Sequence, residues 1–440
     1  MQKMTDWTFD ELQQWDKKIC KIAKSYGLDW HPIDYEMCDY YDMIGNMAYV
    51  GLPTHYHHWS FGKSFEQTHF RYNAGMEGLP YEMIINSNPS ISYLMRENDS
   101  PMHVLTMAHC VGHSDFFKNN INFSHTDPEN VISKFRNAAL RIRDYVADPS
   151  IGVEGVERIL DAAHSIKYQC RRFPHTNKHT QEELRSKFIK LINSDKTGKY
   201  KDFDIDKFPL EPDYDILLFL KDNSRHLKEW EKDVIQIVVD ETNYFIPQAR
   251  TKIMNEGWAS FWHYKILNEL NLPQDYHLSF LKSHNQVIRP HLGRVNPYHL
   301  GFNIFMEMEK KDGLDACFFA REVHSDESFI REHLTEELCR EMNLFTYSLK
   351  RDSFTIDEVS DEEGWRLIRD DLIKNIGLNS VPKVYVDEMI KEDNCLIIRH
   401  EFDGRELELE YAEQVCKNIT DLWGDPVKFF TVIEDDPWEI

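Results

Sequence analysis

Apolar residues recur at helical spacing through most of the first 350 residues. FDELQQWDKKICKIAKSYGL carries them on one face, with Gly27 placed to stop the helix. VISKFRNAALRIRDYVAD, VEGVERILDAAHSIKYQCRR, WEKDVIQIVVDETNYF and ARTKIMNEGWASFWHYKILNEL repeat the pattern, the last closed by Asn271 and Pro273. Between about Phe173 and Pro212 it gives way to a polar, Lys-rich stretch, expected to be a surface insertion or linker. After Leu349 the period shortens. SFTIDEV, KVYVDEMI, CLIIRHEF and VKFFTVIE alternate and are rich in β-branched and aromatic residues, the pattern of strands. DEEGWRLIRDDLIKNIG and EYAEQVCKNITDLWG read as helices, each ending at Gly. The expectation is a mainly α N-terminal body over residues 1–345, followed by a small α/β domain over 346–440 in the order β-α-β-β-α-β.

Composition narrows the class. A chain of 440 residues exceeds one core, and 41% apolar with 29% charged residues is globular rather than disordered. MQKMTDWTFDELQQWDKK has no apolar core of a signal peptide, and runs such as DILLFL are too short to span a bilayer, so no membrane insertion is expected. The eight cysteines (Cys20, Cys38, Cys110, Cys170, Cys317, Cys339, Cys395 and Cys416) form no Cys-x-x-Cys pair and read as reduced thiols of a cytoplasmic protein. The net charge of −24 makes nucleic acid and anionic membranes poor partners. From Arg351 to Ile440 there are ten basic and twenty-four acidic residues, a net −14. Such a surface is a solvated face, or a docking face for a basic partner protein.

Candidate chemistry centres on histidine. His109 and His113 lie in VLTMAHCVGHSDFF, an apolar helical window that buries two imidazoles one turn apart on one face. Burying them is costly unless hydrogen bonds or a metal satisfy them. NEGWASFWH places Glu256 in a second apolar helix, and His263 returns to nearly the same face seven residues on. His109, His113 and Glu256 are thus expected to hold one divalent transition metal, zinc by default, with iron or manganese as alternatives. His263 is a candidate fourth ligand or a partner behind the ligands, and His58 a further candidate. The alternative is a hydrogen-bonded His–His–Glu network without metal. His175 and His179, in the polar PHTNKH, read as a chance pair. His55, His57 and His58 cannot all point one way, and Glu66 with His69 reads better as an exposed polar face than as half of a di-iron motif. No Gly-x-Ser-x-Gly elbow, Walker A loop or dinucleotide fingerprint occurs.

AHCVGH followed far downstream by NEGWA resembles the gluzincin metallopeptidase pattern, which implies His109, His113 and Glu256 as ligands and a divergent zincin-like arrangement as one form open to the body. The likeness departs where that family has its general base, since Cys110 follows the first histidine. A thiol does not replace the carboxylate that activates water. Cys110 is a conceivable thiolate, and Glu82 in YEMIIN a candidate replacement base.

A longer likeness joins these stretches. GLPTHYHHWSFGKSFE, YEMIINSNPSISYLM, MAHCVGHSDFFKNN, MNEGWASFWHYKILN and NPYHLGFNIF, in that order, resemble the SpoVR family of stage V sporulation protein R and its relatives. The resemblance runs over essentially the whole chain. It implies a cytoplasmic protein linked to spore cortex formation or, in bacteria that do not sporulate, to stress physiology. It also implies a PrkA-type serine kinase and a YhbH-like protein as neighbours and partners, and it supplies no catalytic residues. Three readings follow: a metal-dependent hydrolase with an altered base, a non-catalytic regulator or scaffold acting through protein partners, and a di-iron oxidase.

Overall fold

The helical windows become helices at Phe9–Ser25, Val131–Ala147, Gly152–Ile166, Glu229–Arg250 and Lys252–Glu269. These are seen in a computed structural model describing residues 6–440 apart from 77, 173–177, 196–197, 199–202, 292–294, 351–352, 360 and 362. The chain is mainly helical with a small C-terminal sheet, as its periodicity implies. Phe9–Ser25 begins with a reciprocal cap between Thr8 and Glu11. Within the Lys-rich stretch, Gln181–Ser194 is a helix capped the same way by Thr180 and Glu183, and only Leu184 of it is buried. It is therefore a helix at the surface.

Contacts divide the chain into two units, each built from two separate segments: Met1–Ala139 with Pro247–Ser380, and Leu140–Ile246 with Val381–Ile440. In the first, a three-stranded sheet has Ile33–Cys38 parallel to the central Ser90–Met95, and Glu82–Ile85 antiparallel on the other side. Ser100–Asn119 follows the central strand and packs against this sheet. Asp99 caps it by accepting from the Met102 amide, and Pro101 sits in its first turn, where a missing N–H costs nothing. From His103 to Phe117 every residue of this helix is buried, and Lys252–Glu269 is nearly as enclosed. Helices apolar all round belong in a core, and these two lie at its centre with Trp258, Trp262, Phe261 and Phe305.

Three helices meet there at backbone contact. A Cβ on Gly112 would lie 2.7 Å from Ala259 Cα, and one on Gly257 would lie 2.5 Å from Gly301 Cα in the Pro297–Asp312 helix. A side chain at any of these crossings would push the helices apart.

In the second unit the sheet runs Val384–Met389, Leu396–His400, Val427–Ile433, Asp436–Glu439. The middle pair is parallel, with Leu409–Trp423 as its crossover helix, and the outer pairs are antiparallel. All four expected strands form. However, Ser353–Val359 pairs antiparallel with Phe345–Lys350 in a two-stranded sheet of the first unit, and the other sheet takes Asp436–Glu439 as its fourth strand. That strand reads DPWE, which has no alternation to reveal it.

Candidate metal centre

His109 and His113 sit one turn apart on the Ser100–Asn119 helix, their rings edge to face at 4.5 Å between centroids. The close crossing at Gly112 and Ala259 brings Glu256 opposite them. Glu256 Oε2 lies 3.7 Å from His109 Nε2 and 3.4 Å from His113 Nε2, and the three ligand atoms fall within 4.8 Å of one another. That oxygen is buried and has no hydrogen-bond donor. A buried carboxylate oxygen facing two imidazoles is an arrangement that could hold a cation.

The nitrogens on the far side of the rings are fixed. His113 Nδ1 bonds Asn255 Oδ1 at 2.8 Å, and His109 Nδ1 bonds His263 Nδ1 at 2.9 Å. His263 Nε2 in turn bonds His284 Nδ1 at 2.7 Å. Neutral rings satisfy this chain if each passes its proton outward, from His109 to His263 to His284, which leaves the Nε2 lone pairs of His109 and His113 facing Glu256. Holding one ring nitrogen to present the other is how ligating histidines are oriented. Burial, then the neighbouring rings, lowers the pKa of His263 far below normal and that of His284 to about 4, so both stay neutral.

Two further groups close the site. Glu82, at the start of the edge strand, turns inward and places Oε1 3.8 Å from His109 Nε2. Tyr298, in the first turn of Pro297–Asp312, lays its ring over His109 at 6.1 Å and 25°. Burial, then the charges of Glu256 and Glu82, raises the pKa of its phenol, which stays protonated. The two carboxylates diverge. Burial opposes the charge on Glu256; when His109 and His113 instead carry protons on Nε2, their hydrogen bonds and charge outweigh burial and hold that acid well below the usual range. On Glu82 burial wins over the same two imidazoles, and its pKa is raised.

The remaining candidates fall elsewhere. Cys110, about 100° further round the helix than His109, faces the sheet with Sγ 3.1 Å from Ser92 Oγ, and burial pushes its pKa far up. His58 caps the Trp59–Asn73 helix, its Nδ1 2.7 Å from Ser60 Oγ and accepting from the Ser60 amide, and the cluster of ligand atoms does not include it. Glu66 is exposed and His69 half-buried, bonded to Asn73. His179 faces Glu183 at the surface, while His175 lies outside the described residues. Asn255, His284 and Tyr298 went unread in the sequence. Asn255 and Tyr298 do fall inside MNEGWASFWHYKILN and NPYHLGFNIF, the stretches that carried the resemblance.

No solved structure matches the chain. A curated relative, the uncharacterized protein YcgB of Escherichia coli strain K12, is 32% identical over 483 aligned positions that cover 99% of this chain and 94% of the relative. The model for SpoVR like protein matches residues 6–381, and that for the SpoVR-like C-terminal domain matches 382–434. With both likenesses extending across the five motifs and the His–His–Glu cluster they frame, the chain belongs to the SpoVR family.

Proposed function

We propose that the chain is a metal-dependent enzyme of hydrolytic type, with His109, His113 and Glu256 as the ligands of one divalent transition cation. Zinc suits two imidazoles and a carboxylate, with iron or manganese as alternatives. The observation that carries this reading is the convergence of three ligand atoms within 4.8 Å around a carboxylate oxygen that has no donor. A cation bound there supplies a Lewis acid that polarises a carbonyl or phosphoryl oxygen and acidifies water. Glu82 takes the part of the missing base: it faces the ligands from across the site, and burial raises its proton affinity toward the working range of a general base. The protonated phenol of Tyr298 offers a hydrogen-bond donor to a substrate oxygen. A two-histidine helix packed on a small sheet whose edge strand carries the base is also the sense in which the zincin-like comparison enters this proposal.

The test begins with elemental analysis of protein purified without added metal, beside His109→Ala and Glu256→Ala. Near-stoichiometric metal in the parent and little in both variants is expected. A parent that holds no metal, cannot be loaded, and melts at the same temperature with and without chelator would establish the polar network instead. For the chemistry, the loaded protein is assayed on amide, ester and phosphodiester substrates. Glu82→Gln should keep its metal and lose about 100-fold or more in turnover, the contribution of a general base.

A second reading, a non-catalytic regulator acting through partners, draws on the net −14 of the last ninety residues. In that reading a PrkA-type serine kinase and a YhbH-like protein are the partners, the compartment is the cytoplasm, and the role is in cortex formation or stress physiology.

A further inference from the structure

We propose that His324, Glu332 and His333 form a second site for a divalent transition cation, a clip on the loop that anchors both helices of the first centre. His324 follows the Leu314–Val323 helix, and Glu332 with His333 ends the Asp326–His333 helix. His324 Nε2 is 3.4 Å from His333 Nε2 and 3.5 Å from Glu332 Oε2, and one ligand atom from each residue falls within a 4.8 Å group. Two nitrogens held by one zinc ion at about 2.0–2.1 Å in tetrahedral geometry stand ~3.3–3.4 Å apart. The imidazoles therefore already lie at the spacing of co-ligands, longer than the ~2.9–3.0 Å of an ordinary hydrogen bond.

The opposite edge of His324 is tied down: Nδ1 meets Ser328 Oγ at 3.0 Å, which leaves Nε2 to face the other two ligands. Its carbonyl accepts from Asn120 Nδ2 at 2.9 Å and Asn122 Nδ2 at 3.2 Å. Glu332 is 64% exposed and gives an entering cation a solvent path, while His324, 10% exposed, gives it a dry wall.

The position of this loop gives the site a purpose. Asp326, two residues beyond His324, accepts from the Ile253 and Met254 amides at 2.9 Å each, and so holds the N-terminus of the helix that carries Glu256. Asn120, at the C-terminus of the helix that carries His109 and His113, donates to the carbonyls of both Arg321 and His324. A cation joining His324 to His333 closes the short segment from which both helices are held. Its stability gain reaches the first centre without touching it.

Cobalt(II), whose visible absorption reports ligand geometry, is titrated into the metal-free full chain. The comparison set is the parent, His109→Ala/His113→Ala, and Glu332→Gln/His333→Gln. The first-centre variant should still bind one equivalent and melt at a higher temperature with it. The Glu332→Gln/His333→Gln variant should lose that equivalent or bind it at least ~10-fold more weakly, the loss expected when even a supporting partner of a metal site is removed. The single Glu332→Gln variant, changed at an exposed position, guards against a folding artefact and should show the same weakening in part. A first-centre variant that takes up no cobalt, or equal binding of that equivalent with and without Glu332 and His333, overturns the clip. Failure of the first centre alone would appear as one retained equivalent that only the 332/333 changes remove.

Discussion

Glu256 and Glu82 are chemically alike and differ in ionisation because of what surrounds them. Protonated imidazoles favour the charged form of Glu256 and burial keeps Glu82 more basic, a split that, under the proposed function, suits one to holding charge and the other to moving a proton. Cys110 is turned toward Ser92 and the sheet, which under the proposed function leaves it out of the chemistry. Cys110→Ala should leave metal content unchanged, and cost about 1–2 kcal/mol for a lost weak hydrogen bond and a small void. A fall in bound metal would return the thiol to the site. Asp215, which caps Ile216–Asn223, gives a pH test in the other unit. Burial raises its pKa from 3.8 to about 6. Below about pH 4 both folded and unfolded chains hold this proton. Between there and about 6 only the folded chain does, so stability falls as pH rises, by up to ~3 kcal/mol. Asp215→Asn keeps a capping oxygen, and should flatten that slope and raise the melting temperature at pH 7. An unchanged profile would mean the buried acid ionises at no cost. The His–His–Glu cluster was legible because two histidines at i and i+4 in an apolar helix must be buried on one face. Asn255, His284 and Tyr298 were not, because what meets the back of a ring depends on how helices distant in sequence cross.

At the scale of elements, those crossings are set by glycine. Gly112, Gly257 and Gly301 each stand where another helix backbone would meet a Cβ. Gly257→Ala, one residue from Glu256, should cost about 1–3 kcal/mol or more by overpacking and reduce metal uptake, since the helices must separate. Gly62→Ala, in an exposed helix with nothing within 4 Å, should instead add about 0.5–1 kcal/mol. Chemical denaturation of both variants checks the pair, and equal effects would deny the close crossing its role. Helices and strands were legible from their periods in nearly every window. The fate of SFTIDEV was not: alternation identifies a strand but not its neighbour, and this one pairs antiparallel with Phe345–Lys350. Gly112 and Gly257 were visible inside the motifs, yet a glycine within a helix gives no sign of which backbone approaches it.

For the whole molecule, the contact units could not be read from local pattern, because each joins segments that are far apart in sequence. Charge could be read, since it needs no contacts. The C-terminal segment concentrates its acids on surface elements: Glu406, Glu408, Glu410 and Glu413 are all exposed along and just before Leu409–Trp423, beside Tyr411, which is 76% exposed. Such a face draws a basic partner from a distance and raises its association rate more than it tightens the final complex. The PrkA-type serine kinase is the partner to test. Binding should weaken about tenfold or more as salt shortens the range of the field, chiefly through a slower on-rate. Reversing Glu410 and Glu413 to Lys should produce much of the same loss at low salt, and make the remaining binding less sensitive to salt. These side chains lie outside the core, so the melting temperature and the metal content should stay those of the parent, separating docking from the centre. Equal on-rates for parent and reversed chain at low salt would show that the acidic face only keeps the protein dissolved.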